Sequence, residues 1–157
     1  MSGGGDARWI EIQSAVDSAV RHFGSAKTIY DTLRDGKADL DLYVIEMGFL
    51  HAMQSGHASV ENALMHILNV FNEAPPSGPN WHADLIARIG RAVGSRPAVL
   101  SGDLLKAANE TRQFRHVAVK AYDSFDWARA GGAVDQAGVI AAKLPEAIAR
   151  LRMAIDP

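Results

Sequence analysis

The sequence contains no cysteine among its 157 residues, which excludes disulfides, thiolate metal sites and thiol nucleophiles. This absence suits a reducing compartment, and we expect a cytoplasmic protein. Long apolar runs are lacking too, because the most apolar stretch, 42–53, is interrupted by Glu46 and His51 and falls short of the ~20 residues that span a bilayer. Residues 1–6 have neither the basic segment nor the apolar run of a signal peptide, so we interpret them as a flexible lead-in.

An excess of charge of either sign is also missing, since the formal net charge is −2. Any affinity for nucleic acid must therefore come from a local basic patch rather than from the field of the whole protein. Hydrophobic residues make up 48% of the chain and charged residues 22%, a balance typical of globular proteins and too apolar for a disordered one. The length predicts a single domain, which we place at residues 7–157.

The alternation of apolar and polar residues that marks a β-strand is lacking throughout the sequence. Apolar residues recur instead at intervals of three and four, the spacing of a buried stripe on a helix. This periodicity predicts residues 7–34 as one long helix or two short ones, and residues 38–72 as a second long element. We therefore predict an all-α, up-and-down bundle of five to six helices. The first stripe comprises Trp9, Ile12, Val16, Val20 and Phe23.

Proline, glycine and capping residues predict where the later helices begin and end. The proline-rich segment 74–79 separates the second helix from a third, which we expect to end near Gly94. Gly131, Gly132 and Pro145 are predicted to split the C-terminal part into two helices. The predicted caps are Asn80 for the third helix, Ser101 or Asp103 for the fourth, and Ser124 or Asp126 for the fifth.

The segment 109–122 concentrates basic and imidazole groups on the fourth predicted helix. At 100° per residue, one arc of ~160° contains these groups while small and apolar residues point the other way. Arginine and lysine bind phosphodiesters, and a histidine carries a proton near neutral pH, so this side of the helix fits RNA. The alternative is the solvated basic side of an ordinary amphipathic helix. The arc contains Arg112, Arg115, His116, Val119, Lys120 and Tyr122.

Two further groups of polar residues deserve a chemical interpretation. His57 and Glu61 lie one helical turn apart, with Glu46 on a similar side, which raises the hypothesis of a metal site. A third ligand at helical spacing is missing, so we expect no metal and no other cofactor, and Glu61 to serve packing or a hydrogen bond beneath the basic helix. Trp81 and His82 open the third helix, and we interpret this pair as a packing anchor.

Four segments follow one another along the chain: Phe49-Leu-His-Ala-Met through Glu61-Asn-Ala-Leu64, Trp81-His82 with Leu85-Ile86, Arg96-Pro97-Ala98-Val99-Leu100, and Phe114-Arg115-His116. In this order they resemble the HepT-like branch of the HEPN superfamily of RNA-cutting toxins. The resemblance covers most of residues 49–125 and, more weakly, the helix that begins at Leu144.

The resemblance implies a metal-independent ribonuclease whose site forms between two copies of the bundle. Its catalytic residues are an arginine and a histidine with four residues between them, the Arg-x4-His motif. Here the arginine is Arg115, but Lys120 stands at the histidine position. A lysine ammonium holds a phosphate but is a poor general base at neutral pH. We therefore expect RNA binding through Arg112, Arg115 and Lys120, with weak or lost cleavage in which His116 is the remaining imidazole.

The resemblance also implies partners. In some HepT-like systems a nucleotidyltransferase antitoxin of the MNT type attaches adenylate to a tyrosine, and Tyr122 matches that position. We accordingly count Tyr122 with Arg115, His116 and Lys120 as the candidate catalytic set, and expect a homodimer. The alternatives are a non-catalytic module that binds a nucleotidyltransferase, and a purely structural bundle in which Tyr122 packs on a neighbour.

Overall fold

A computed structural model describes residues 6–36, 41–120 and 126–155, with side chains from Ala7 onward and, in the fourth helix, up to His116. Within these ranges the chain forms five α-helices and no strand, so the predicted all-α bundle is confirmed. None of the five combines the length and the apolar character needed to cross a membrane. They are α1 (Asp6–Arg34), α2 (Leu42–Val70), α3 (Trp81–Ile89), α4 (Gly102–Lys120) and α5 (Trp127–Ile155).

The core lies between the long helices. α1 packs along α2, and α5 packs on both α1 and α4, while the short α3 contacts α2 and α4. The predicted stripe of α1 is buried at Trp9, Ile12, Val16 and Phe23, because this spacing turns those side chains towards α2 and α5. Large buried side chains from the other helices and loops include Phe49, Leu64, Ile67, Leu85, Ile89, Leu100 and Leu144.

Close approach of α1 to its neighbours depends on two glycines. A Cβ atom at Gly56 would overlap the ring of Phe23, so the absence of a side chain lets α1 and α2 pack tightly. A Cβ at Gly131 would lie 2.5 Å from the hydroxyl oxygen of Tyr30, which has the same consequence for α1 and α5. Glycines that weaken a helix locally are thus used here for packing between helices.

The C-terminal part is one continuous helix, so the predicted split at Gly131, Gly132 and Pro145 was wrong. The buried stripe of α5 runs on both sides of these residues, with Ala130 and Val134 near the glycines and Leu144 and Ile148 around the proline. A proline inside a helix costs about 3 kcal/mol, which burial of such a stripe outweighs. The region 7–34, left open as one helix or two, is likewise a single helix.

Some of the predicted capping residues cap their helices in the structure, and others do not. Asp126 caps α5, since its Oδ1 accepts hydrogen bonds from the backbone N–H groups of Ala128 and Arg129, at 3.0 and 3.2 Å. Ser124 lies outside the described residues. Ser101 precedes α4 and Asp103 lies in its first turn, where a carboxylate favours the helix dipole. Asn80 occupies the N-cap position of α3, but its side chain makes no capping hydrogen bond.

The third helix ends at Ile89, well before the predicted end near Gly94. A buried arginine donates hydrogen bonds to backbone carbonyl groups on both sides of this end. Arg96 is completely buried, and its guanidinium pairs with Glu73 in two parallel hydrogen bonds of 2.5 and 3.1 Å. Its other N–H groups donate to the carbonyl oxygens of Arg88, Arg91 and Pro97. A guanidinium has five N–H donors, and all are used, so this cluster closes the loops on either side of α3.

Candidate functional site

A buried carboxylate is the centre of a second polar cluster, where α2, α3 and α4 meet. Glu61 of α2 is 4% exposed and receives groups from each of these helices. Nδ1 of His82, at the start of α3, is hydrogen-bonded to Oε2 of Glu61. Nη1 of Arg115, on α4, donates to Oε1 across 3.4 Å, and Nε2 of His57 lies 3.4 Å from Oε2. The carboxylate therefore links three helices through three nitrogen-bearing side chains.

These neighbours keep Glu61 ionised. Burial alone would raise the pKa of this carboxyl, but its hydrogen bonds and electrostatic interactions with His57 and His82 outweigh burial and lower the pKa below its usual range. An ionised carboxylate only accepts hydrogen bonds, so Nδ1 of His82 must carry a proton. The charge on Glu61 thus selects the tautomer of His82.

His57 serves the packing of α2 against α4 rather than the surface. Its ring is completely buried, and Nδ1 lies 2.9 Å from Oγ1 of Thr111. The Thr111 hydroxyl also donates to the carbonyl oxygen of Ala108, at 3.2 Å, so it accepts from His57. With no exposed surface, His57 is unavailable to a ligand from solvent.

A cleft of about 610 Å³ opens over this cluster, between the start of α3 and the middle of α4. Arg112, Arg115 and His116 form the α4 side, and the side chain of His82 faces them from α3. His82 and Arg115 have side-chain exposures of 33% and 36%, so each joins the buried carboxylate to the open cleft. The remaining lining residues are Pro79, Asn80 and Ala83.

The structure brings together part of the set predicted from sequence. Arg112, Arg115 and His116 share one wall of the cleft, as the helical arc predicted, while Phe114 is buried on the opposite side of α4. Lys120 is the last residue of α4, and its side chain lies outside the described part of the chain, as does the whole of Tyr122.

His82 is the residue of the cleft that sequence reasoning missed. Trp81 and His82 do stack closely, with ring centroids 3.6 Å apart, which fits the predicted packing anchor. The additional role of His82 depends on where α3 meets α2, and no spacing within α3 indicates this. The hypothesis of a metal site gains no support, since the described residues offer no group of three suitable side chains. Instead the guanidinium of Arg115 shares the Glu61 carboxylate with His82.

The arrangement suits an anionic ligand. Two guanidinium groups and two imidazoles line the cleft, and the buried negative charge beneath them is already engaged by His82 and Arg115. Guanidinium groups bind phosphate oxygens through paired N–H donors, and imidazoles add a donor or accept a proton. Among the residues that the structure describes, Arg112 makes one long side-chain hydrogen bond, from Nε to Oδ1 of Asn109 at 3.4 Å, and its terminal nitrogens have no acceptor there.

Comparison with known proteins assigns the family. The family model described as HepT-like protein matches residues 48–155, which is more than half of the chain and includes every residue of the cleft. No curated protein and no solved structure gives a significant match. The matched region, together with the five-helix bundle, shows that the chain belongs to the HepT-like family of the HEPN superfamily.

Proposed function

We propose that this protein binds RNA in the cleft over Glu61, as a ribonuclease-like member of a toxin–antitoxin system in which cleavage is weak or lost. The single observation that carries the proposal is the convergence of Arg112, Arg115 and His116 with His82 on one cleft. A phosphodiester seated there would accept hydrogen bonds from both guanidinium groups. Membership of the HepT-like family supports RNA as the source of that phosphodiester.

The weakness of cleavage follows from the residue at position 120. Metal-independent RNA cleavage needs a group that removes the proton of the 2′-hydroxyl, and the lysine at this position is a poor base. Arg115 would still stabilise the negative charge that develops on the phosphorus oxygens. The chain therefore keeps the electrostatic half of the site and lacks the usual acid–base half.

The test measures binding and cleavage separately, with a labelled single-stranded RNA and no metal. Because each phosphate contact releases counterions, we expect affinity to fall as salt rises, and Arg115→Ala to reduce the slope of log K against log salt by roughly 0.7. Arg150→Ala, which removes an exposed arginine of α5, is the matched control for a change of net charge. Equal slopes for the parent and Arg115→Ala would contradict RNA binding in this cleft.

Cleavage is tested in the same samples with Lys120→His, which restores the Arg-x4-His spacing. We expect slow cleavage by the parent and faster cleavage by Lys120→His, because the new imidazole supplies a base near neutral pH. A homodimer at micromolar concentration, measured by analytical ultracentrifugation, should accompany activity if two copies complete the site. Faster cleavage by the monomer would contradict a shared site.

The second candidate function is a non-catalytic module that binds a nucleotidyltransferase, and Lys120 is the observation that favours it. Such a module needs neither RNA affinity nor a salt slope. Incubation with ATP and a nucleotidyltransferase of the MNT type should then attach adenylate to Tyr122, and Tyr122→Phe should abolish the mass increase. Adenylation without any RNA binding would replace the first proposal with this one.

A further inference from the structure

The wall of the cleft formed by α3 contributes an imidazole that is hydrogen-bonded to a buried carboxylate, which the described side chains of α4 do not. From its place against Glu61, we propose that His82 is the proton carrier of the cleft and that Glu61 is its positioning residue. The inference rests on the proposed RNA function and assigns its acid–base step. It concerns a residue outside the Arg-x4-His spacing, contributed by another helix.

The orientation of His82 is fixed from two directions. Its Nδ1 is hydrogen-bonded to the Glu61 carboxylate, and its ring lies against Trp81 with the two planes 30° apart. Since Nδ1 carries the proton, the neutral ring has its lone pair on Nε2, the nitrogen at the other side of the ring. The side chain is 33% exposed and lines the cleft, so a base with a defined tautomer borders the space that holds the ligand.

The other imidazoles near the site lack this combination. His57 contacts the same carboxylate but is completely buried, so a substrate cannot reach it. His116 lines the cleft and is exposed, but within the described part of the chain no carboxylate pairs with it to set its tautomer. His82 alone among these three combines access to the cleft with a buried carboxylate partner.

The step that follows is a transesterification. Nε2 of His82 takes the proton of the 2′-hydroxyl while the 2′-oxygen forms a bond to phosphorus. The bond from phosphorus to the 5′-oxygen breaks, and that oxygen takes a proton from solvent, which the open cleft admits. The products are a 2′,3′-cyclic phosphate and a 5′-hydroxyl, and the imidazolium returns its proton to solvent. The Glu61 carboxylate stabilises the imidazolium while it exists, and Arg115 stabilises the charge on the phosphorus oxygens.

The experiment compares RNA cleavage under single-turnover conditions by the parent and His82→Asn, whose side-chain amide keeps a donor towards Glu61. We expect the cleavage rate to fall by about 10²-fold or more, the usual contribution of a general base, with RNA affinity changed less than about threefold. His66→Gln is the matched control, because His66 forms a similar pair with Glu11, 3.4 Å away, outside the cleft. This control should cleave at the parent rate.

A second variant separates proton transfer from a structural role. His82→Gly leaves a space beside Glu61 that opens into the cleft, and added imidazole should restore cleavage in proportion to its concentration. A purely structural histidine would show no such rescue, and the absence of rescue in a variant that still binds RNA would overturn the inference.

The remaining outcomes also decide the question. Cleavage by His82→Asn at the parent rate, together with loss in His116→Gln, would overturn the inference in favour of His116. A parent protein that binds RNA but never cleaves it would overturn the assignment to His82 while leaving RNA binding intact. Absence of RNA binding in every variant would instead overturn the proposed function itself.

Discussion

Two glutamate–arginine pairs in this bundle contain the same groups but differ in burial and in how many arginine N–H donors are used. Glu73 and Arg96 form a closed cluster, in which the arginine is completely buried and every N–H donor has a protein acceptor. Glu61 and Arg115 form an open one, in which the guanidinium lies 3.4 Å from the carboxylate and the arginine side chain is 36% exposed. The protein therefore uses every N–H donor of Arg96, whereas the described residues accept one long hydrogen bond from Arg115.

The largest effect is expected from opening the closed pair. Arg96→Ala would leave the Glu73 carboxylate without its partner and remove donors from three carbonyl oxygens. Breaking one side of a buried ion pair costs about 3–5 kcal/mol, a large part of the stability of a typical domain. Urea unfolding followed by circular dichroism measures this loss. Arg96→Lys is the control, which should recover part of it because charge returns without the five-donor geometry. A loss below about 1 kcal/mol would contradict the structural role.

A much smaller loss of stability is expected from Arg115→Ala. Glu61 keeps His82 and His57 as neighbours, and a partly exposed ion pair contributes about 1 kcal/mol or less. The same variant should lose RNA affinity while the protein stays folded. Arg96→Ala, in contrast, should affect RNA binding only by destabilising the fold. Thermal unfolding of both variants side by side measures the contrast. An unfolding midpoint for Arg115→Ala as low as that of Arg96→Ala would break the comparison.

The smallest effect is a change in acid stability at Glu61. Its pKa in the folded protein lies below the ordinary value of 4.5, so its contribution is complete above that pH and is lost as pH falls through the folded pKa. Glu61→Gln cannot be protonated, and we expect its free energy of unfolding to fall less steeply with acid below about pH 4.5. Urea unfolding from pH 3 to 6 measures both slopes. Parallel curves for parent and variant would contradict the lowered pKa.

The limits of the sequence are visible in the two walls of the cleft. Arg112, Arg115 and His116 were predicted together because a helix fixes their angular spacing at 100° per residue. His82 reaches them because α3 packs against both α2 and α4, and the Arg96–Glu73 ion pair joins the segments on either side of α3. Periodicity within one helix contains no information on which other helices pack against it.

Helix ends were less predictable than helix faces for a related reason. Gly131 and Pro145 have low intrinsic preference for a helix, and local rules predicted that the C-terminal part is split between them. The structure keeps α5 intact because its apolar stripe is buried from Ala130 to Leu151, on both sides of Gly131 and of Pro145. A local window of sequence does not contain the free energy of that burial. The capping prediction at Asp126, which depends only on neighbouring residues, was confirmed.

The close packing of Phe23 against Gly56 affects which part of the chain can fold on its own. The family match begins at residue 48 and so leaves out α1, yet α1 covers α2 and α5 with Ile12, Val16 and Phe23, all buried. A fragment that contains only the matched region would expose the apolar surfaces of α2 and α5 to water, and we expect it to aggregate. Recombinant work on the cleft therefore needs the first helix, although that helix contributes no residue to the cleft as described.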